Sequence, residues 1–259
     1  MSLEVEIENP VARVKYPDVK TFKELVVALS KLLDEAKFTL TSTGLKIIGM
    51  DPAKVAYIEI HIPKEAFLEY EIEEDRELVD VGFNLKVLGD VLEGRKGNPI
   101  EMKVAQDKVL ISIEGAINRR FLLPNLEVAV EELGGVRLEH DVKAIVIGDV
   151  VKKAVSDIRA TSDVVEIDAD ESQIVIRSGG ETGPKVTLKL TRESSALIDL
   201  EVKTPSKARY DITYLESTLN LTKIAESIEL MFSTDKPLEL NFKSPDGSMV
   251  RYILAPSTT

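Results

Sequence analysis

Side chains able to do covalent or acid–base chemistry are sparse in this 259-residue chain. It has no cysteine and only two histidines, His61 and His140. That removes thiolate nucleophiles, disulfides and cysteine-based metal sites together. His61 sits in the alternating run Ile58-Glu59-Ile60-His61-Ile62, where a strand side chain turned to solvent explains it better than a catalytic base. His140, beside Asp141, reads as exposed loop. Neither histidine has a second one at metal-ligand spacing. Ser178-Gly179-Gly180-Glu181-Thr182-Gly183 lacks the Lys-Ser/Thr of a phosphate-binding loop and reads as a hairpin connection. Asp168, Asp170 and Glu171 depart from the spacing of a calcium loop, and Glu71, Glu73, Glu74 and Asp75 form a charge run; both read as solvated acidic turns. The expectation is therefore a protein with no catalytic residues, no metal and no cofactor.

Binding remains. The formal net charge is −12, with 33 Lys+Arg against 45 Asp+Glu. As a whole-chain sum this opposes nucleic-acid binding, which follows phosphate neutralisation by cations. What decides the matter is whether the basic residues gather on one surface.

Four segments carry helical periodicity: 19–36, 83–92, 149–158 and 212–221. At about 100° per residue, Phe22, Leu25, Val26, Ala28, Leu29, Leu32, Leu33 and Ala36 share one arc of the first segment. Lys20, Lys23, Ser30, Lys31 and Asp34 share the opposite one, with Val27 among them. The third segment repeats the design, with Lys152, Ser156 and Arg159 opposite Val150, Val151, Ala154, Val155 and Ile158. Periodicity alone favours ordinary solvated faces over nucleic-acid faces for these patterns. The polar faces of the second helix (Lys86, Asp90, Glu93) and the fourth (Thr213, Glu216, Asn220, Lys223) are not basic overall.

Around these helices the chain reads as short strands: 38–40, 44–49, 55–62, 100–104 and 109–114, then 144–147, 164–169, 174–178, 186–190, 197–202, 227–232, 238–243 and 249–255. The order helix, strands, helix, strands occurs twice. Asn98-Pro99-Ile100-Glu101-Met102-Lys103-Val104 matches Lys236-Pro237-Leu238-Glu239-Leu240-Asn241-Phe242, which suggests an internal repeat of two α+β halves. Residues 126–141, with Glu131-Glu132-Leu133-Gly134-Gly135, have no clean period and suit a linker. The expected division is 1–125, a connecting loop 126–141, and 142–259. The N-terminal residues lack the basic and apolar regions of a secretion signal, and no apolar run is long enough to span a bilayer, so a cytoplasmic protein is expected.

Several motifs, in order along the chain, resemble the proliferating cell nuclear antigen family, the eukaryotic and archaeal sliding clamps. Leu33-Asp34-Glu35-Ala36 running into the segment 38–51 is similar to the family's first helix and strands. Met50-Asp51-Pro52-Ala53-Lys54-Val55 matches its Met-Asp-x-x-x-Val signature. Val130-Glu131-Glu132-Leu133-Gly134 resembles its interdomain linker, and Tyr252-Ile253-Leu254-Ala255-Pro256 its Leu-Ala-Pro ending. The lack of an extended acidic tail after Pro256 looks archaeal.

The resemblance implies an α+β fold of two similar domains, helices lining a bore with β-sheets outside, in a closed ring of three identical or sister subunits around double-stranded DNA. Its implied role is a non-enzymatic, nucleoid-associated processivity factor. Matching positions nominate Lys23, Lys153 and Arg159 for the bore, and the face analysis adds Lys20, Lys31, Lys86, Arg95, Lys96, Lys152 and Lys223. The chain departs from eukaryotic relatives at Asp90, Glu93, Thr213 and Asn220, where they carry basic residues, so the lining is expected to be thin. Clients (DNA polymerase, clamp loader, flap endonuclease, DNA ligase) would insert a plug of glutamine, an aliphatic residue and paired aromatics. Met50, Val55, Tyr57, Leu133, Pro237 and Ile253 would receive it, with backbone help from Ala255 and Pro256. Without the resemblance these would read as plain core residues. Subunit joints would pair Arg119, Arg120, Phe121, Leu122 and Leu123 in strand 118–123 with Ile174, Val175, Ile176 and Arg177 in strand 173–179 of the next chain. A DNA-damage checkpoint clamp, a scaffold that never touches DNA and an acidic strand-rich enzyme are the alternatives.

Overall fold

A computed structural model of the chain describes residues 6–130, 138–179 and 184–257. It divides into two compact units. The first comprises Met1–Met50, Glu59–Glu132 and Pro245–Met249; the second comprises Asp51–Ile58, Leu133–Ser244 and Val250–Thr259.

The first unit contains β1 (Ala12–Tyr16), α1 (Val19–Ser30), β2 (Glu35–Thr41), β3 (Gly44–Met50), β4 (Ala56–Pro63), β5 (Glu69–Ile72), β6 (Leu78–Asn84), α2 (Leu85–Val91), β7 (Ile100–Val104), β8 (Lys108–Ile113) and β9 (Arg119–Pro124). The first three residues of β4 are counted with the second unit. One sheet has the order β5-β1-β7-β8-β9, and the second runs β4-β3-β2-β6. Asp18 starts α1 by accepting the Lys20 amide at 2.9 Å, and Asn84 starts α2 by accepting that of Val87 at 3.0 Å. Such caps satisfy amides that the first helical turn leaves without partners. The two helices pack on each other. Their apolar faces cover a core in which Tyr16, Phe22, Phe38, Phe67, Phe83 and Tyr70 form a chain of ring contacts 5.0–6.2 Å apart.

The second unit contains β10 (Val142–Ile147), α3 (Gly148–Arg159), β11 (Val164–Asp170), β12 (Gln173–Ser178), β13 (Thr187–Thr191), β14 (Leu197–Val202), β15 (Ser206–Asp211), α4 (Ile212–Ser217, continued by a 3-10 turn at Thr218–Lys223), β16 (Ser227–Phe232), β17 (Leu238–Lys243) and β18 (Met249–Leu254). Its sheets run β14-β10-β16-β17-β18 and β13-β12-β11-β15. Strand for strand this is the connectivity of the first unit, so the expected two-fold repeat is present.

The seven-residue match that suggests the repeat pairs the wrong strands. Ile100–Val104 is β7, the strand after α2, whereas Leu238–Lys243 is β17, one strand beyond the equivalent β16. A proline at a strand start followed by alternating apolar residues is a general strand feature, so the likeness carries no register. The first helix also ends earlier than its apolar spacing implies. Leu32 and Leu33 both donate to the Leu29 carbonyl, at 2.9 and 3.0 Å, closing a turn. Ala36, Phe38 and Leu40 then alternate inward on β2, so Ala36 fits both periods and belongs to the strand.

Candidate nucleic-acid, client and subunit surfaces

In the first unit Lys20, Lys23, Arg95 and Lys96 converge on a depression of about 680 Å³, shared with Glu24, Leu92, Glu93 and Gly94. One side chain builds the loop that makes this possible. Asn98 Oδ1 accepts the Arg95 amide at 2.8 Å, while its carbonyl accepts that of Val19 at 2.8 Å. The start of α1 is thereby tied to the loop after α2. A Cβ on Gly94 would meet Val19 Cγ1 at 2.4 Å, so that glycine permits the close approach, while Gly97 supplies the positive φ of +81° that the loop needs. Lys31, just after α1, and Lys86 on α2 are also exposed.

The second unit offers less free charge. Lys152, Lys153, Arg159 and Lys223 are exposed, but Lys153 pairs with Asp157 at 2.9 Å. Arg159 pairs with Asp163 and, at 3.5 Å, with Glu216. A cation already neutralised by a neighbouring carboxylate contributes less to phosphate attraction.

Val55, Tyr57, Ile253, Ala255 and Pro256, client candidates of the second unit, lie at or within two residues of the ends of one backbone tie. Ala255 donates its amide to the Val55 carbonyl at 2.8 Å, and Ser257 donates to the Arg209 carbonyl at 2.7 Å. Tyr57 and Ile253 are buried, whereas Val55, Pro237, Ala255 and Pro256 are half-buried. Pro256 and Ser257 line a depression of about 580 Å³ with Lys207, Ala208, Arg209, Thr234 and Asp235. Met50 is half-buried in the first unit, and Leu133 lies outside the described residues.

Sequence reading misses two carboxylates on outward sheet faces of the second unit. Glu166 on β11 receives Arg177 from β12 and both Lys207 and Arg209 from β15, at 2.6, 3.0 and 2.9 Å. Burial pushes its carboxyl up, but hydrogen bonds from Arg209, Lys207 and Arg177 outweigh this and hold it at about 2. Glu239 on β17 receives Arg251 at 2.8 Å and His140 Nε2 at 3.3 Å. Burial raises it, and His140 and Arg251 bring it down to about 2. The expectation of an exposed His140 is thus corrected. Its side chain is 8% exposed, fixed by a partner 99 residues away, a pairing that local sequence does not encode.

The subunit joint needs a similar correction. β9 is the outer strand of its sheet, carrying the exposed Leu122, and Ile117 just before it is 77% exposed. β12 is no edge: Val175 and Ile176 pair with Asp168 and Ile167 of β11 on one side, and with Lys189 and Leu188 of β13 on the other. A strand with both ladders occupied cannot accept a third. The open edge on that side of the sheet is β13.

The chain has counterparts among known proteins along almost its whole length. The family model described as repair protein Rad1/Rec1/Rad17 matches residues 15–243. A protein of Aeropyrum pernix named DNA polymerase sliding clamp 1 is 52% identical over 242 residues, covering 93% of this chain and 98% of that relative. The chain belongs to the sliding-clamp family. Its fold is that of solved clamps. A crystal structure of a PCNA2–PCNA3 complex from Sulfolobus tokodaii aligns with TM-score 0.88 at 25% identity, over 95% of this chain and 100% of that one. Proliferating cell nuclear antigen from Thermococcus kodakaraensis aligns with TM-score 0.87 at 26% identity, over the same shares. Among the described residues of this clamp-family chain there is no group of three or more His, Cys, Asp or Glu placed to hold a metal ion. No described helix is long and apolar enough to cross a membrane.

Proposed function

We propose that this chain is one subunit of a ring-shaped processivity factor that encloses duplex DNA and tethers replication and repair enzymes, with no catalysis of its own. The observation that carries this reading is the end-to-end likeness to a DNA polymerase sliding clamp. The basic depression of the first unit supports it, because a surface that slides needs phosphate attraction without base readout. Three subunits, identical or sister chains, would close the ring by pairing the β9 edge of one with the β13 edge of the next, which also removes two exposed edges. Clients such as polymerase, clamp loader, flap endonuclease and ligase would insert a hydrophobic plug at Met50, Val55, Tyr57, Leu133, Pro237 and Ile253, beside Ala255 and Pro256. A checkpoint-type clamp is the less favoured reading, since the curated relatives are named as polymerase clamps.

Primer extension on singly primed circular DNA, with a clamp loader and replicative polymerase, tests the proposal. Longer products per binding event when the chain is present support it. Unchanged product length with a loader shown to be active on another clamp contradicts it.

A further inference from the structure

Asp51 is 5% exposed and sits in the second unit, between the client-pocket candidates Met50 and Val55 in sequence. A buried carboxylate needs partners for its oxygens, and here they come from its own loop and from one helix. Oδ1 accepts the amides of Val55 at 2.7 Å and Ala56 at 2.6 Å. Oδ2 accepts the amide of Ala53 at 3.0 Å and the hydroxyl of Tyr214, on α4, at 3.0 Å. The Asp51 amide donates back to the Ala56 carbonyl at 3.0 Å. The loop thus closes on one side chain and holds Lys54 at φ +58°.

The next residue along is the one that matters for binding. With its amide drawn onto Asp51, Val55 presents its carbonyl to the Ala255 amide at 2.8 Å, which seats the chain end leading to Pro256. Tyr214 is itself fixed, because its carbonyl accepts the hydroxyls of Tyr252 at 2.9 Å and Ser217 at 2.5 Å. The carboxylate is therefore anchored on the helix side while it shapes the loop on the other.

We propose that Asp51 is a positioning residue for the client-peptide pocket: anchored by Tyr214, its carboxylate sets the Val55 carbonyl that holds Ala255 and Pro256 in place for the ligand. This rests on the pocket reading above. The ligand class is a peptide segment whose glutamine needs backbone partners at Ala255–Pro256 and whose aliphatic and aromatic side chains need the apolar floor. Asp51 does not touch that ligand; it acts through Val55.

The test is calorimetric titration of the whole chain with a short synthetic peptide carrying glutamine, an aliphatic residue and two adjacent aromatics, at a temperature where circular dichroism shows every variant folded. A second peptide with both aromatics replaced by alanine is the control. Asp51→Ala is expected to weaken binding on the order of tenfold, the scale of losing hydrogen bonds to a charged group. Asp51→Asn keeps one acceptor oxygen for Val55 and Ala56 and is expected to recover part of the loss, with Tyr214→Phe also intermediate. Backbone amide resonances of Val55 and Ala56 should shift upfield in Asp51→Ala and return toward the parent position in Asp51→Asn. A change in stability alone would not produce that ordering. If the parent discriminates between the two peptides while Asp51→Ala, Asp51→Asn and Tyr214→Phe bind as tightly as the parent, the positioning role is overturned and the pocket stands. If Asp51→Ala fails to fold, the other two variants decide by the same criterion. Absence of discrimination by the parent itself overturns the pocket, and the positioning role with it.

Discussion

Leu126 donates its amide to the Gly82 carbonyl at 3.0 Å, and a methyl group at Gly82 would lie 2.0 Å from the Leu126 carbonyl oxygen. The chain leaving β9 therefore runs against β6 at the one place where β6 has no side chain. Asn125 locks this crossing. Its Oδ1 accepts the Gly82 amide at 2.8 Å, and its Nδ2 lies 3.3–3.4 Å from the carbonyls of Asp80, Ala105 and Gln106. Gly82→Ala must push backbone against backbone, so it is expected to lower the stability of the chain by about 2 kcal/mol or more. Chemical denaturation measures this, and an unchanged midpoint would mean that the crossing yields without cost.

Acid should act on the second unit through Glu166 and Glu239. Both carboxyls are held at about 2, below the ordinary glutamate value of 4.5. A depressed folded-state value means the stabilisation is fully present above about pH 4.5 and is lost as pH falls toward 2. Denaturation midpoints measured across that window should drop for the parent. For Glu166→Gln and Glu239→Gln the starting stability should be lower and the acid dependence shallower. A parallel drop in all three proteins would assign the acid sensitivity to other groups.

The basic surfaces should not contribute equally to DNA binding. Lys20, Lys23 and Lys96 gather around one depression, whereas Lys153 and Arg159 face Asp157, Asp163 and Glu216. Replacing the first three by glutamate should flatten the salt dependence of DNA association by about one unit of slope for each phosphate no longer neutralised. Among single substitutions, Lys153→Glu should change it less than Lys23→Glu. Equal effects from these two single substitutions would contradict this ranking of the surfaces.

Edge pairing is open to a proline scan. Adjacent residues of a strand point their amides to opposite sides, so of Leu188→Pro and Lys189→Pro in β13, one removes an outward donor and the other a bond to β12. The outward one should shift sedimentation to smaller species while circular dichroism is preserved. Val175→Pro, on the doubly paired β12, should instead unfold the unit. An assembly that tolerates proline at both β13 positions would place the joint on another edge.

Much of the fold is legible in the sequence because its strands alternate strongly. Phe38 and Leu40, or Ile228, Leu230 and Phe232, announce an inward face without help. β15 shows the limit. Ser206, Ala208 and Tyr210 point inward there, two of them too small to register as an apolar stripe. Apolar patterning also misses β1, β5 and β6, and it extends the start of α2 back into β6. For the surfaces, helix periodicity finds the lysines, and the i,i+4 spacing of Lys153 and Asp157 is available to it, but Arg159 meets Glu216 only through tertiary structure. Motif likeness locates the Met50–Val55 loop, yet the role of Asp51 inside it needs the Tyr214 hydroxyl, 163 residues away.

Enclosure of DNA is the central claim, and retention on closed versus cut DNA tests it most directly. The assembled clamp, with any sister chains it requires, is loaded onto a nicked circular plasmid and then held in salt high enough to screen its attraction to phosphates. It should stay on the circle, because topology and not affinity holds it, and should be lost within the same interval once a restriction enzyme linearises the plasmid. Equal retention on circular and linear DNA, or equal loss from both, would contradict a ring that encloses the duplex.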